Sequence, residues 1–386
     1  MIVLPKCKLG SLRKLPPCRS AAPEDVVDRQ DFIAEAVERL WLGNDIVLAG
    51  PRRTGKSSVA GEVLHRLRER GAYTVYVDVF RAVSIEAFAA RMLQAALEQR
   101  TGFFQHVARD MREIGKTIAQ AHIAAKIHDL ELGVQLANPH ATPAEHLEIA
   151  LTAAERIAKE DSRRMVILLD EFQDVLRLGG EDTLKQMRAI IQHQEHVVYL
   201  FMGSQADMMG RIFGQPKRAF FRFAVQMRMP EIPWGEWEAY IRDRLGRSGH
   251  SISDQALQLL EERTGAHPHC VMVTMDAALL RAKLLGSDHI TAEDVLHAYD
   301  NAKLTLAGIY AEQWAMVKGY THAPAVLGQI VQGKPPYAVD TVRTNVTKAL
   351  ALLEQLGLIY KVSRGQYHLV ERMFGTWISQ QRGEGW

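Results

Sequence analysis

Ile46-Val47-Leu48-Ala49-Gly50-Pro51-Arg52-Arg53-Thr54-Gly55-Lys56-Ser57-Ser58 is the stretch on which the fold of this chain turns. Four apolar residues make a short buried strand, the next eight fit G-x-x-x-x-G-K-S, and Val59 to Leu67 continue at helical spacing. In a strand–loop–helix of this kind the glycines let backbone N–H groups turn inward around phosphates, and the helix adds its positive N-terminal end. The candidate nucleotide-binding residues are therefore Gly50, Pro51, Arg52, Arg53, Thr54, Gly55, Lys56, Ser57 and Ser58. Lys56 is placed to reach the β- and γ-phosphates, and the Ser57 hydroxyl to ligate Mg²⁺. The bland alternative is a chance match in a glycine-bearing turn, and a second motif downstream weighs against it.

That second motif is Val166-Ile167-Leu168-Leu169-Asp170-Glu171, an apolar strand ending in two acids. A buried strand keeps carboxylates only where its tip opens into a polar site. Asp170 is then placed to hold Mg²⁺, and Glu171 to orient and deprotonate an attacking water. An acid pair capping the next helix is the structural alternative. A third apolar run, Tyr199-Leu200-Phe201-Met202-Gly203, ends in Ser204-Gln205, and either residue can contact a γ-phosphate or the water. Plain strand-to-loop chemistry accounts for this segment almost as well. Phosphoryl transfer also calls for positive charge near the γ-phosphoryl oxygens. Lys217, Arg218, Arg222 and Arg228 follow the third run, with Arg222 the first choice for that role and Arg218 the second.

Outward from these motifs, strand candidates Asp45–Ala49, Tyr73–Val79, Met165–Leu169, Val197–Met202 and Phe223–Met227 alternate with helices, as in a parallel α/β sheet. Val107, Met111, Ile114, Ile118, Ile123 and Ile127 recur at helical spacing, Glu131–Ala137 alternates in part like a strand, and Thr142-Pro143-Ala144-Glu145 reads as a capping box. From Trp234 to about Tyr299 the pattern is purely helical, with Thr291-Ala292-Glu293-Asp294 starting a last short helix. Three more helical segments then lead to two alternating runs, Leu358–Ser363 and Gln366–Val370, around Arg364-Gly365, which read as a hairpin. The expected organisation is an arm over 1–22, a P-loop domain over 23–230 with a helical insertion at about 80–160, a helical lid over 231–302 and a winged helix-turn-helix over 303–386.

Composition excludes more than it assigns. A chain of 386 residues with net charge +2 is ordinary for a globular protein and names no partner. Cys7, Cys18 and Cys270 are too few and scattered for a disulfide framework or a zinc site, and read as free thiols in a reducing, cytoplasmic setting. No apolar stretch approaches the roughly 18–20 residues that span a membrane. Lys6, Lys8, Arg13, Lys14 and Arg19 make the first segment basic, but it lacks the apolar centre of a secretory signal.

With these residues in place, the chain resembles an AAA+-type P-loop ATPase, and most closely the archaeal-type ATPases. These relate to signal-transduction ATPases and, more distantly, to replication-origin initiators. The resemblance rests on Val27-Asp28-Arg29, Gly50 to Ser57, Leu169-Asp170-Glu171-Phe172, Gly203-Ser204 and Gly265-Ala266-His267-Pro268-His269. It implies ATP rather than GTP, with Mg²⁺, and places Asp28 and Arg29 near the adenine and His267 and Pro268 facing the nucleotide from the lid. Many relatives carry an arginine there. Here His267 or His269 stands in its place, a departure that points to a slow switch more than a fast motor.

The C-terminal module decides the partner reading. In Thr341–Leu356, Val342, Val346, Ala349, Leu350 and Leu353 form the buried stripe, leaving Arg343, Thr344, Thr347 and Lys348 outward on a helix suited to the major groove. Lys361 and Arg364 on the hairpin can meet the phosphate backbone. Asp340, Glu354 and the modest local charge fit a protein-packing winged helix nearly as well. The partners to test are DNA, a partner protein and an ATP-dependent homo-oligomer.

Overall fold

A computed structural model of the protein describes residues 26–99, 141–363 and 365–382. The basic arm, the Val107–Ile127 run, the Glu131–Ala137 segment and Arg364 lie outside the described residues. The chain forms two compact units: residues 30–50 with 59–229, and residues 51–58 with 230 onward and the segment ending at Arg29.

The first unit is built on a parallel sheet. In chain order it contains α1 (Gln30–Trp41), β1 (Ile46–Ala49), α2 (Lys56–Glu69, its first turn counted with the other unit), β2 (Tyr73–Asp78), α3 (Ile85–Leu97) and α4 (Pro143–Glu160). It continues with β3 (Met165–Asp170), α5 (Val175–Ile191), β4 (Val197–Gly203), α6 (Ala206–Gly214) and β5 (Val225–Arg228). The strands lie in the order β2-β3-β4-β1-β5, and every neighbouring pair is parallel. Val166, Leu168, Leu200 and Met202 are as buried as Ile167, Leu169, Tyr199 and Phe201, so apolar side chains are covered on both faces of the sheet. This is why these strands read as unbroken apolar runs rather than alternating ones. Parallel pairing sends every carboxyl end to one edge. There Ala49 of β1 aligns with Gly203 of β4, and Asp78 of β2 with Asp170 of β3. The capping box is present as expected: the Thr142 side chain accepts from Glu145 N, and Glu145 returns the bond to Thr142 N, with Pro143 in the first turn of α4.

The second unit contains α7 (Trp234–Arg247), β6 (Ser251–Ile252), α8 (Asp254–Thr264), α9 (Pro268–Leu285), β7 (His289–Ile290) and α10 (Ala292–Lys318). After these come α11 (Ala323–Val331), α12 (Arg343–Gln355), the antiparallel hairpin of β8 (Ile359–Ser363) and β9 (Gln366–Leu369), and α13 (Arg372–Arg382). Two helices followed by a hairpin make the winged helix-turn-helix. Four features depart from the sequence reading. The lid is not purely helical, because β6 and β7 pair in parallel, burying Ile252 and Ile290 just before the caps Ser253 and Thr291. The helix begun at Thr291 is long, not short: α10 spans 27 residues, with no proline to stop it, and runs through 302–303 from the lid core to the C-terminal core. Val342 is 63% exposed, since α12 starts one residue later and leaves it as an extended cap. A helix the reading did not foresee, α13, adds Met373, Phe374 and Ile378 to the core of Tyr310, Trp314, Leu350 and Leu353. Among the described residues no helix is long and apolar enough to cross a membrane.

Candidate functional site

At the carboxyl edge of the sheet, β3 ends in Asp170 and the chain turns at once. Phe172 is fully buried in a ring cluster, with centroids 4.7 Å from Phe201, 5.7 Å from Phe213 and 5.6 Å from Phe220. Between the strand and this buried ring, Glu171 lies in the left-handed region at φ 52°, a conformation unusual for a residue with a side chain. Glu171 caps no helix with its side chain. Its Oε2 instead accepts three hydrogen bonds: from Gln173 Nε2 at 2.6 Å, Ser204 N at 3.0 Å and Ser204 Oγ at 2.8 Å. The second acid and the third motif are thus joined by their side chains.

Asp170 has its own partners. Tyr76 Oη donates to Oδ2 at 2.8 Å, and Glu171 N donates to Oδ1 at 2.9 Å. Burial pushes the Asp170 carboxyl above the usual carboxylate range, helped by the negative charges of Glu171 and Asp78, while the Tyr76 hydrogen bond opposes the shift. Beside it in register, Asp78 pairs with Arg81 at 3.0 Å and keeps Oδ1 buried without a partner. Among the described residues no group of three or more His, Cys, Asp or Glu side chains could hold a metal ion. Mg²⁺ in phosphoryl-transfer sites needs only one or two protein oxygens beside the phosphates, and the Asp170 carboxylate is a donor of that kind.

The strand end that feeds the loop lies in the same edge: Gly50 N donates to Gly203 O at 3.3 Å. A Cβ on Gly50 would meet nothing within 4 Å, so no protein contact demands glycine there and the space beside its backbone is open. Gly55 differs, with φ +92° and a Cβ that would sit 2.8 Å from Arg29 Nη1. Within the second unit Arg29 braces the loop, donating from Nη1 to Thr54 O at 2.9 Å and from Nε to Pro230 O at 3.1 Å. Arg29 is 6% exposed, and burial lowers its pKa to about 10 against the pull of Asp28. Asp28, Arg29 and Arg53 all have positive φ (51°, 70° and 64°). Lys56 is buried and donates to Pro51 O at 2.5 Å, the carbonyl that also receives Thr54 Oγ1 at 3.0 Å. Arg52 and Ser57 are exposed, and Ser58 is half-buried.

His267 precedes α9, with Pro268 in its first turn and Ala266 at φ 58°. Both ring nitrogens of His267 are buried without a hydrogen-bond partner. Burial first, then the charges of Arg53 and Arg29, push its pKa down to about 3, so it is neutral near pH 7. Arg53 pairs with Glu371 at 3.5 Å, and the other oxygen of Glu371 accepts from Tyr310 Oη at 3.0 Å. A loop residue is therefore tied to the start of the last helix.

The arginines behind the third motif are engaged elsewhere: Arg218 pairs with Glu181, and the Arg222 guanidinium lies 5.1 Å from the Phe221 ring. Arg222 stands at φ 54° and donates its N–H to Phe213 O at 3.0 Å. Gln205 sits where α6 begins. On the C-terminal module Arg343, Thr344, Thr347, Lys348 and Lys361 are exposed, with Arg343 5.2 Å from the Tyr337 ring. Sequence reading missed Tyr76 and Glu371 and gave Gln173 no role of its own. Gln173 carried a faint signal, two residues after Glu171, whereas Tyr76 needs the strand register and Glu371 lies 318 positions from Arg53.

A parallel sheet with a glycine loop after β1 and paired acids ending β3 defines a P-loop nucleoside triphosphatase. A family model of an ATPase domain found predominantly in Archaea matches residues 27–217. Residues 27–217 are thus an ATPase domain of that kind, and the chain is an ATPase. It is similar over 92% of its length to 96% of a Walker-type ATPase of Pyrococcus abyssi, at 15% identity and a TM-score of 0.66. The ORC2 protein of Aeropyrum pernix in its ADPNP–ADP complexes shares 14% identity, with 97% of this chain covering 99% of that one at a TM-score of 0.60. The ORC1 protein of Aeropyrum pernix in complex with DNA shares 17% identity over 96% of both chains, at a TM-score of 0.51. At these identities the likeness is one of fold. No curated protein sequence matches the chain.

Proposed function

We propose that the chain is a Mg²⁺-dependent, slowly hydrolysing ATP switch, with Glu171 as its general base. The observation that carries this is the Glu171 carboxylate bonded to Ser204 at the sheet edge from which the phosphate loop departs. Backbone N–H groups of the loop and the Lys56 ammonium hold the phosphates, with the open side of Gly50 allowing close approach. Bound Mg²⁺ would spread the charge of the β- and γ-phosphates, held by Ser57 and Asp170. Glu171 takes the proton of the attacking water, and Ser204 orients that water or the terminal phosphate. Arg222, or Arg218 in its stead, supplies positive charge in the same chain or to a second copy. His267, neutral and without a hydrogen-bond partner, brings no charge to the site from the lid, which suits a state-holding switch better than a motor. Glu171→Gln should bind ATP as the parent does and hydrolyse it about 10²–10⁴-fold more slowly. Undiminished turnover in that variant removes Glu171 from the mechanism.

For the partner, DNA or a DNA-processing protein is the first reading, supported by exposed Arg343, Thr344, Lys348 and Lys361 on the winged-helix module and by a neighbour of like fold described in complex with DNA. The second reading is a signalling switch whose module packs on protein, favoured by the Arg53–Glu371 tie. Electrophoretic shifts distinguish them: DNA binding that falls steeply with salt and is lost in Arg343→Ala/Lys348→Ala belongs to the first.

A further inference from the structure

Gln173 is 1% exposed, and its two polar atoms meet different fates. Nε2 donates to Glu171 Oε2 at 2.6 Å, whereas Oε1 is buried without a hydrogen-bond partner. The fit is tight, since a Cβ on Gly203 would lie 2.4 Å from that oxygen. An apolar side chain of similar shape would fill this place with no unmet acceptor, so core stability does not explain the amide. The contact with Glu171 does. A general base takes its proton on a carboxylate lone pair; three donors directed at Oε2 occupy the lone pairs of that oxygen and favour the charged form, which lowers the basicity of the whole carboxylate. Two of the donors come from Ser204 on the neighbouring strand end, and the third from the turn that Phe172 anchors.

We infer that Gln173 is a positioning residue that restrains the base: it holds the Glu171 carboxylate turned toward Ser204 and so keeps hydrolysis slow. This rests on the reading of Glu171 given above. The test is steady-state ATP hydrolysis by the full chain carrying Gln173→Leu or Gln173→Met, two side chains of different shape that guard against a folding defect in either, with thermal unfolding measured alongside. We expect kcat to rise about three- to tenfold with KM for ATP unchanged and the unfolding temperature not lowered. The rise should vanish when Glu171→Gln is added, which a general loosening of the fold would not do. If both variants fold and kcat stays level or falls, while Glu171→Gln alone stops turnover, the restraint is overturned and the base assignment stands. If Glu171→Gln alone turns over at the parental rate, the base assignment itself falls and the restraint with it.

Discussion

The surroundings of the loop after β1 and the acid-bearing strand ends each hold a titratable group shifted by burial, His267 and Asp170, and protons act on the two in opposite directions. Around the loop, burial first and then the charges of Arg53 and Arg29 push the pKa of His267 down to about 3. At the strand ends, burial and neighbouring acids push Asp170 up. In the proposed function an anion at the loop and a cation at the acids would offset these shifts. The backbone is strained in both regions, since Asp28, Arg29, Arg53 and Glu171 all occupy positive φ. A protein shaped for stability alone would keep neither arrangement.

The comparison breaks most easily at Lys56. Lys56→Ala removes the ammonium proposed to hold the phosphates, and calorimetry should find ATP binding weakened about 100-fold or more. Unchanged binding would mean that the loop is not the anion half. A finer test uses pH. His267 unfolds to an ordinary histidine of pKa 6.5 and folds to one near 3, so the unfolded state binds more protons and stability falls as pH drops below 6.5. Compared with His267→Phe, the parent should lose about 2 kcal/mol of stability between pH 8 and pH 5 by denaturant titration. Asp170 should tilt the other way. Its folded pKa is raised, so the stability present in acid is lost as pH rises through it, and Asp170→Asn should be the more stable chain at neutral pH and lose that advantage in acid. Slopes of the same sign in both pairs would dissolve the contrast.

Much of this was legible in the sequence because the signals are local. The run Ile46–Ala49 followed by Gly50 to Ser57 is strand, loop and helix within one stretch, and an apolar run ending in Asp170-Glu171 announces a polar opening. Thr142 to Glu145 gave a helix start to the residue. The parts that escaped depend on pairings that no window shows. Tyr76 reaches Asp170 only because β2 and β3 align in one register, and Glu371 reaches Arg53 across most of the chain. Val342 was misplaced because apolar periodicity does not say which residue opens a helix. The long α10 was cut short because a capping box at Thr291 marks a beginning and carries no information about an end.

The proposed function makes Asp170 a ligand of the Mg²⁺ that accompanies bound ATP. Isothermal titration of ATP with and without Mg²⁺, on the parent chain and on Asp170→Ala, tests it most directly. The account predicts that Mg²⁺ tightens ATP binding by about tenfold in the parent and hardly at all in Asp170→Ala. ATP binding that ignores Mg²⁺ in the parent, or a metal effect that survives Asp170→Ala intact, would contradict it.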